Sequence, residues 1–160
     1  MISQEKVPNS SFASWGDLLN CVKDDYESSM IFSDKIVKKL QRIPFEVIIA
    51  EKAYELLGIL DQIHQSLDYT NKRSAEGNEL YRKHFYGTSD NVYFSNESEK
   101  NRRLFRDKLT FRHPINRTPI MCSWHGKISR RKFRIHFSHP PENRDERIYI
   151  AYIGPKITKR

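Results

Sequence analysis

Hydrophobic and polar side chains alternate along the last forty residues of the chain. The alternation is clearest where Phe133, Ile135 and Phe137 are separated by Arg134 and His136. Successive side chains of a strand point to opposite faces, so this period of two predicts a half-buried strand with its apolar side toward the core. We therefore expect Arg134 and His136 to lie together on the solvent-facing side of a sheet.

Two neighbouring segments also have the composition of strands, rich in β-branched and aromatic residues. The three predicted strands cover about 121–128, 133–138 and 147–153. A strongly basic connection follows the first strand, a connection with two prolines follows the second, and Gly154-Pro155 ends the third. Residues 119–160 therefore predict a basic, three-stranded antiparallel sheet.

Residues 14–112 instead carry hydrophobic residues at steps of three and four, which predicts helices. Four helices are expected: one with Ser14 as N-cap, one after Ser33, one from Pro44 to about Leu67, and one over Ala75–Phe85. A fifth is expected from a capping box at Asn96 and Glu99 to about Leu109, with Leu104, Phe105 and Leu109 facing inward. The chain is thus expected to be one α+β domain, in which a bundle of about five helices precedes the sheet and residues 1–13 form a loose arm.

The third predicted helix has an apolar seam with alternating steps of four and three. The seam consists of Ile49, Ala53, Leu56, Leu60, Ile63 and Leu67. Such a seam is typical of the central helix of a small bundle, and it is also the pattern of a helix that pairs with a second copy. Three heptads are short for a coiled coil, which favours the core interpretation.

Charge is distributed unevenly along the chain. The 160 residues have a net charge of +8, but residues 101–160 hold 16 Lys and Arg against 4 Asp and Glu, whereas residues 1–100 hold 12 against 16. A basic C-terminal segment of this kind indicates an anionic partner, nucleic acid above all. The alternative is a basic protein that binds nothing through this charge.

The composition also indicates a compartment. Cys21 and Cys122 are far apart and have no metal-binding spacing, which favours free thiols in a reducing environment. No apolar run approaches the length of a membrane span, and the N-terminal residues lack the apolar region of a signal peptide. These features predict a cytoplasmic protein that does not contact a membrane.

Sequence motifs for metal or nucleotide chemistry are absent. The chain has no HExxH, no CxxC, no Walker loop and no GxGxxG. We therefore expect no metal and no cofactor, and any catalysis would depend on the side chains alone.

The residues of the predicted sheet suit a phosphodiester ligand. Histidines can transfer protons near neutral pH, and Arg and Lys can neutralise phosphate. The candidate catalytic residues are His125, His136, Arg134 and Lys127. The candidate nucleic-acid-binding residues are Arg130, Arg131, Lys132, Tyr149, Tyr152 and Lys156. For each histidine alone, a structural role is the alternative interpretation.

Two resemblances bear on these residues. The segments CSWHGKI, FRIHFSHPP and YIAYIGPKITKR resemble a signature of uncharacterised prokaryotic proteins, over about the last quarter of the chain, and imply no established activity. Helices followed by a basic antiparallel meander are also similar, at the level of the fold, to RelE-type toxins, which are metal-independent ribonucleases. That similarity implies Lys127, Arg134, His136 and Tyr152 as cleaving residues and an antitoxin-like acidic protein as a partner.

Two functions follow as hypotheses. The first is a protein that binds RNA or other single strands, with metal-independent ribonuclease activity of toxin or defence type as its catalytic form. The second is a non-enzymatic interaction module that docks an acidic protein and forms a homodimer through its long helix. Whether the protein is an enzyme is left open by the sequence.

Overall fold

The computed structural model describes residues 12–86, 90–128, 132–139 and 142–159. Its α+β class is as predicted. Within these ranges the helices are α1 (Trp15–Asp25), α2 (Ile36–Gln41), α3 (Val47–Gln65), α4 (Ala75–Phe85), α5 (Glu99–Leu104) and α6 (Arg106–Leu109). The strands are β1 (Met30–Phe32), β2 (Phe94–Asn96), β3 (Thr110–Arg112), β4 (Pro119–Met121), β5 (Trp124–Ile128), β6 (Phe133–Phe137) and β7 (Ile148–Pro155).

The main sheet has five strands in the order β1-β7-β6-β5-β2. The predicted antiparallel meander of β5, β6 and β7 is present, but a three-stranded, wholly antiparallel sheet is wrong. β2 pairs antiparallel with β5, and β1 pairs parallel with β7. Both added strands are three residues long, which is too short to show a period of two in the sequence.

Helix α3 is the centre of the hydrophobic core. Its seam, from Ile49 to Ile63, is at most 1% exposed and packs against α1, α4 and β5. The apolar side of the meander completes this core with Phe133, Ile135 and Phe137. The core interpretation of the seam is therefore confirmed, because these side chains are already buried within one chain.

Local sequence signals set several helix boundaries. Asp17 N–H donates to Ser14 Oγ at 3.0 Å, which confirms the predicted N-cap of α1, and α4 has the predicted bounds. The capping residue of α5 is Ser98 rather than Asn96, and the helix breaks at Phe105 before α6. This break leaves Leu104 58% exposed, so its predicted inward position is wrong.

The second face of the main sheet is also covered. β3 and β4 form an antiparallel hairpin, and Phe111 and Ile120 of this hairpin pack on a small cluster of Cys122, Tyr149 and Ala151. Neither Cys21 nor Cys122 is part of a disulfide. Because the hairpin lies over this face, side chains that point away from the main core can still be buried.

Candidate functional site

A basic cleft lies between α2 and the β3–β4 hairpin. It is lined by residues 33–42 on one side and by hairpin residues 110–119 on the other, with Tyr149, Ala151 and Tyr152 of β7 between them. Its volume is about 760 Å³. This is within the range of sites that hold small molecules or one segment of a polymer.

Cations dominate the lining of the basic cleft. They are Lys35, Lys38, Lys39, Arg42, Arg112 and Arg117, and Asp34 is the one acidic residue among the lining residues. The four from the α2 side are spaced at i, i+3, i+4 and i+7, which places them along one side of a helix. Six cations facing one carboxylate produce a positive potential in a concave site, where low-dielectric walls strengthen it.

Tyrosines form the floor of the basic cleft. Tyr149 Oη donates to the carbonyl of Arg112 at 3.1 Å and so attaches the hairpin to the sheet. Tyr152 is half-buried, its hydroxyl donates to the carbonyl of Pro155 at 2.6 Å, and Lys39 Nζ lies 5.8 Å from its ring centre. Burial raises the pKa of Tyr152 to about 12, so its side chain stays neutral at physiological pH.

A second depression is slightly larger but has a different character. It lies between α3 and α4, has a volume of about 810 Å³ and is shallower than the basic cleft. Glu76 and Glu79 are its charged lining residues. An anionic ligand would be repelled there, so we regard the basic cleft as the better candidate site.

The two candidate histidines of the sheet lie side by side. In the β5–β6 register His125 is directly opposite His136, and Lys127 is opposite Arg134. The centres of the two imidazole rings are 5.4 Å apart. The fold therefore brings together the pair that the sequence left unconnected, with Arg134 on the same side of β6 as His136.

Glu97 completes a buried cluster with these histidines. The residue follows β2, and its N–H donates to the carbonyl of Ser123 at 3.1 Å, which holds it beside the start of β5. Its Oε2 lies 3.3 Å from His125 Nδ1, and its Oε1 accepts from Asn101 Nδ2 at 3.0 Å. Glu97, His125 and His136 are 7%, 5% and 0% exposed.

The backbone fixes the protonation of His136. Its Nδ1 lies 2.9 Å from the carbonyl oxygen of Cys122, which can only accept, so Nδ1 carries the proton. In the neutral ring Nε2 is then a buried lone pair, and it has no hydrogen-bond partner in the described part of the chain. His125 Nδ1 and Arg134 Nε also lack a partner with hydrogen-bond geometry there.

Burial keeps both imidazoles neutral. It lowers the pKa of His125 to about 4, with the adjacent His136 ring acting in the same direction and the Glu97 carboxylate opposing it. Burial also lowers the pKa of His136, against the Cys122 carbonyl that favours its charged form. A proton-transfer pair of the ribonuclease type needs one charged and one neutral group, and these two side chains are both neutral at pH 7.

The structure corrects the expected exposure of the candidate catalytic residues. His136 is fully buried, Arg134 is half-buried and its Nη1 donates to the carbonyl of Phe133 at 3.0 Å. Lys127 is exposed, as expected for this face. The prediction that Arg134 and His136 face solvent together is wrong, because the second face of the sheet is covered by β3, β4 and the segment around Glu97.

The candidate binding residues are divided between two places. Tyr149 and Tyr152 line the basic cleft, whereas Lys132 is exposed at the start of β6 and Lys156 is half-buried beyond β7. Arg130 and Arg131 lie outside the described residues, as do residues 1–11 of the predicted arm. The predicted set therefore contains the floor of the basic cleft but none of its cations.

Sequence reasoning missed those cations because it weighed charge by segment. Lys35, Lys38, Lys39 and Arg42 lie in the half of the chain that is acidic overall, although their helical spacing was a readable signal. For Glu97 the sequence offers no such signal, since it approaches the histidines only through the pairing of β2 with β5.

Comparison of the chain with protein-family models, with curated proteins and with solved structures finds no match. None of the helices in the described ranges combines the length and the apolar character needed to cross a membrane. The inferences below therefore depend on the geometry and the chemistry of the side chains alone.

Proposed function

We propose that the protein binds nucleic acid, RNA or another single strand, in the basic cleft between α2 and the β3–β4 hairpin. The observation that supports this most directly is the composition of the cleft, in which six cations line one concavity with a single carboxylate. A phosphate backbone requires closely spaced cations of this kind, and each neutralised phosphate adds affinity by releasing counterions.

The aromatic floor favours an unpaired strand over a duplex. Tyr152 is partly accessible at the bottom of the basic cleft, next to half-buried Phe111 with ring centres 6.5 Å apart. Rings at this position can stack on exposed bases, whereas the bases of a duplex are already stacked on one another. Lys39, above the Tyr152 ring, is placed to contact the phosphate of a nucleotide whose base stacks there.

The basic cleft also suits a strand better than a protein surface. Protein partners bury about 800 Å² of each surface and need an extended area of contact. Here the cations lie on two walls that face each other, which matches a chain of negative groups passing between them. An acidic protein partner is therefore the second candidate.

Fluorescence anisotropy with a labelled single-stranded RNA measures the proposed binding. Lys38→Gln, Lys39→Gln and Arg42→Gln together remove three exposed cations from one wall of the cleft while α2 keeps its buried Ile36 and Leu40. Because three phosphate contacts are lost, we expect the affinity to fall by about tenfold or more at physiological salt.

The matched control removes the same charge elsewhere. Lys23→Gln, Lys83→Gln and Arg103→Gln also delete two lysines and one arginine, each exposed in the last turn of its helix and outside the basic cleft. We expect RNA binding by this variant to stay within about twofold of the unaltered protein. Equal losses in both triple variants, or no RNA binding by the unaltered protein, would contradict the proposal.

A further inference from the structure

We propose that Glu97, His125 and His136 form a binding site for one transition-metal ion, with Zn²⁺ as the best-matched ion. This site is separate from the basic cleft and does not depend on nucleic-acid binding. One potential ligand atom from each of the three buried residues lies within 4.8 Å of the other two. Two imidazoles and a carboxylate are ligands that Zn²⁺ prefers, leaving a fourth position for water.

His136 is prepared as a ligand by the backbone. The Cys122 carbonyl holds the Nδ1 proton at 2.9 Å and leaves the Nε2 lone pair directed away from it, buried and without a partner among the described residues. Leaving a buried acceptor unpaired is costly. Histidine ligands commonly donate one N–H to a carbonyl and bind the metal through the other nitrogen. His136 has the carbonyl partner and leaves the other nitrogen available.

Glu97 and His125 face each other at a distance that a proton or a metal ion can bridge. A carboxylate oxygen can only accept, and His125 Nδ1 lies 3.3 Å from Glu97 Oε2 outside hydrogen-bond geometry. Either a proton or a metal ion must separate the two electron pairs. Tetrahedral bonds of about 2.0–2.1 Å place ligand atoms about 3.3 Å apart, so this pair already has the required spacing.

The third ligand requires a modest approach. Since the three atoms lie within 4.8 Å of one another, the remaining separations close by at most about 1.5 Å to reach the spacing of a bound Zn²⁺. The three residues come from the end of β2, from β5 and from β6, which are neighbouring parts of one sheet. A bound ion would therefore attach the short edge strand β2 to the meander.

Arg134 opposes the ion and tunes its affinity. Arg134 lies two residues from His136 on the same side of β6, and its guanidinium interacts electrostatically with the Glu97 carboxylate. A positive charge in this position repels a divalent ion. With an ion bound, the Glu97 carboxylate would have to offset both the ion and the Arg134 guanidinium. We therefore expect removal of Arg134 to strengthen metal binding.

The site is tested by titrating chelator-treated protein with Zn²⁺. Calorimetry measures the binding, and metal analysis after desalting measures the number of ions bound per chain. We expect one Zn²⁺ per chain, and a rise in melting temperature of about 5–10 °C when free Zn²⁺ is a hundredfold above its Kd. His136→Asn keeps an amide that can donate to the Cys122 carbonyl but removes the Nε2 ligand, so it should weaken Zn²⁺ binding by about tenfold or more.

His84→Asn is the matched control. His84 is also buried, and its Nδ1 lies 2.7 Å from the carbonyl of Asn91, but it is not part of the cluster. Zn²⁺ affinity should be unchanged in this variant and reduced in Glu97→Gln. Arg134→Met should bind Zn²⁺ several-fold more tightly because a positive charge is lost.

Spectroscopy of the unaltered protein keeps the test independent of variants that fold poorly. Imidazole ¹⁵N resonances should shift for two of the six histidines on addition of Zn²⁺, and Co²⁺ should give the visible absorption of a four-coordinate ion. The proposal is overturned if Zn²⁺ does not bind at one per chain, if the shifted histidines are not His125 and His136, or if His84→Asn weakens binding as much as His136→Asn.

Discussion

At the scale of single residues, Gly126 shows how tightly the sheet and the core are joined. It lies in β5 between His125 and Lys127. A Cβ added there would meet Phe94 at 3.0 Å and Leu56 at 3.3 Å. Phe94 and Leu56 are fully buried in the core, so neither has free space into which to move. Glycine is required here for close packing rather than for an unusual backbone angle.

Gly126→Ala should therefore lower the free energy of unfolding by about 1–3 kcal/mol, since the added methyl overpacks the core. The matched control is Gly16→Ala in α1, where the new Cβ would meet only Ser14 Oγ at an ordinary 3.6 Å. Alanine favours helix, so the control should raise stability by about 0.5 kcal/mol. Urea unfolding of both variants measures the difference, and equal effects would contradict the packing argument.

At the scale of elements, α3 distinguishes a core helix from an interface helix. Leu60 is fully buried in the seam, whereas Ile48, on the same helix, is 52% exposed. Leu60→Ala should cost about 2–5 kcal/mol because it leaves a cavity, and Ile48→Ala should change stability by no more than about 0.5 kcal/mol. Thermal unfolding tests the stabilities, and gel filtration that shows an altered oligomeric state on loss of Leu60 alone would contradict a core role.

The elements also show what the sequence could predict. Helices α1 and α4 have Ser14 and Ser74 as caps and a clear apolar period, and β5 to β7 have alternation or apolar runs over five or more residues. These signals are local, so the elements could be predicted. β1, β2 and the β3–β4 hairpin depend on pairing with partners distant in sequence, and three residues carry too little pattern to reveal it.

The same difference explains the predicted site. Arg134 and His136 were correctly placed on one side of β6, because alternation along a strand is a local property. The position of His125 beside His136 depends on the β5–β6 register, which the sequence left open. Their burial depends on Glu97 and on the β3–β4 hairpin, and both are brought there by pairing that the sequence does not display. The face that was predicted to contact a nucleic acid therefore contains an enclosed cluster, and the cations of the basic cleft are the ones that a polymer can reach.

At the scale of the whole molecule, folding redistributes the charge. The C-terminal 60 residues hold all of the excess of Lys and Arg, yet four of the six cations in the basic cleft come from the α2 side, within the first hundred residues. Cations from both halves of the chain therefore meet in one cleft. The local arrangement of six cations matters more for a bound strand than the net charge of +8.

This arrangement predicts how RNA binding depends on salt. For single strands the logarithm of the binding constant falls by about 0.7 per neutralised phosphate for each decade of salt, so six contacts give a slope of up to about −4. Lys38→Gln, Lys39→Gln and Arg42→Gln together should make the slope shallower by about 2, whereas the control triple at Lys23, Lys83 and Arg103 should leave it unchanged. Anisotropy titrations between about 50 and 300 mM salt measure both slopes. The two triple variants carry the same net charge. If the attraction came from the overall charge instead of the basic cleft, both would therefore shift the slope equally.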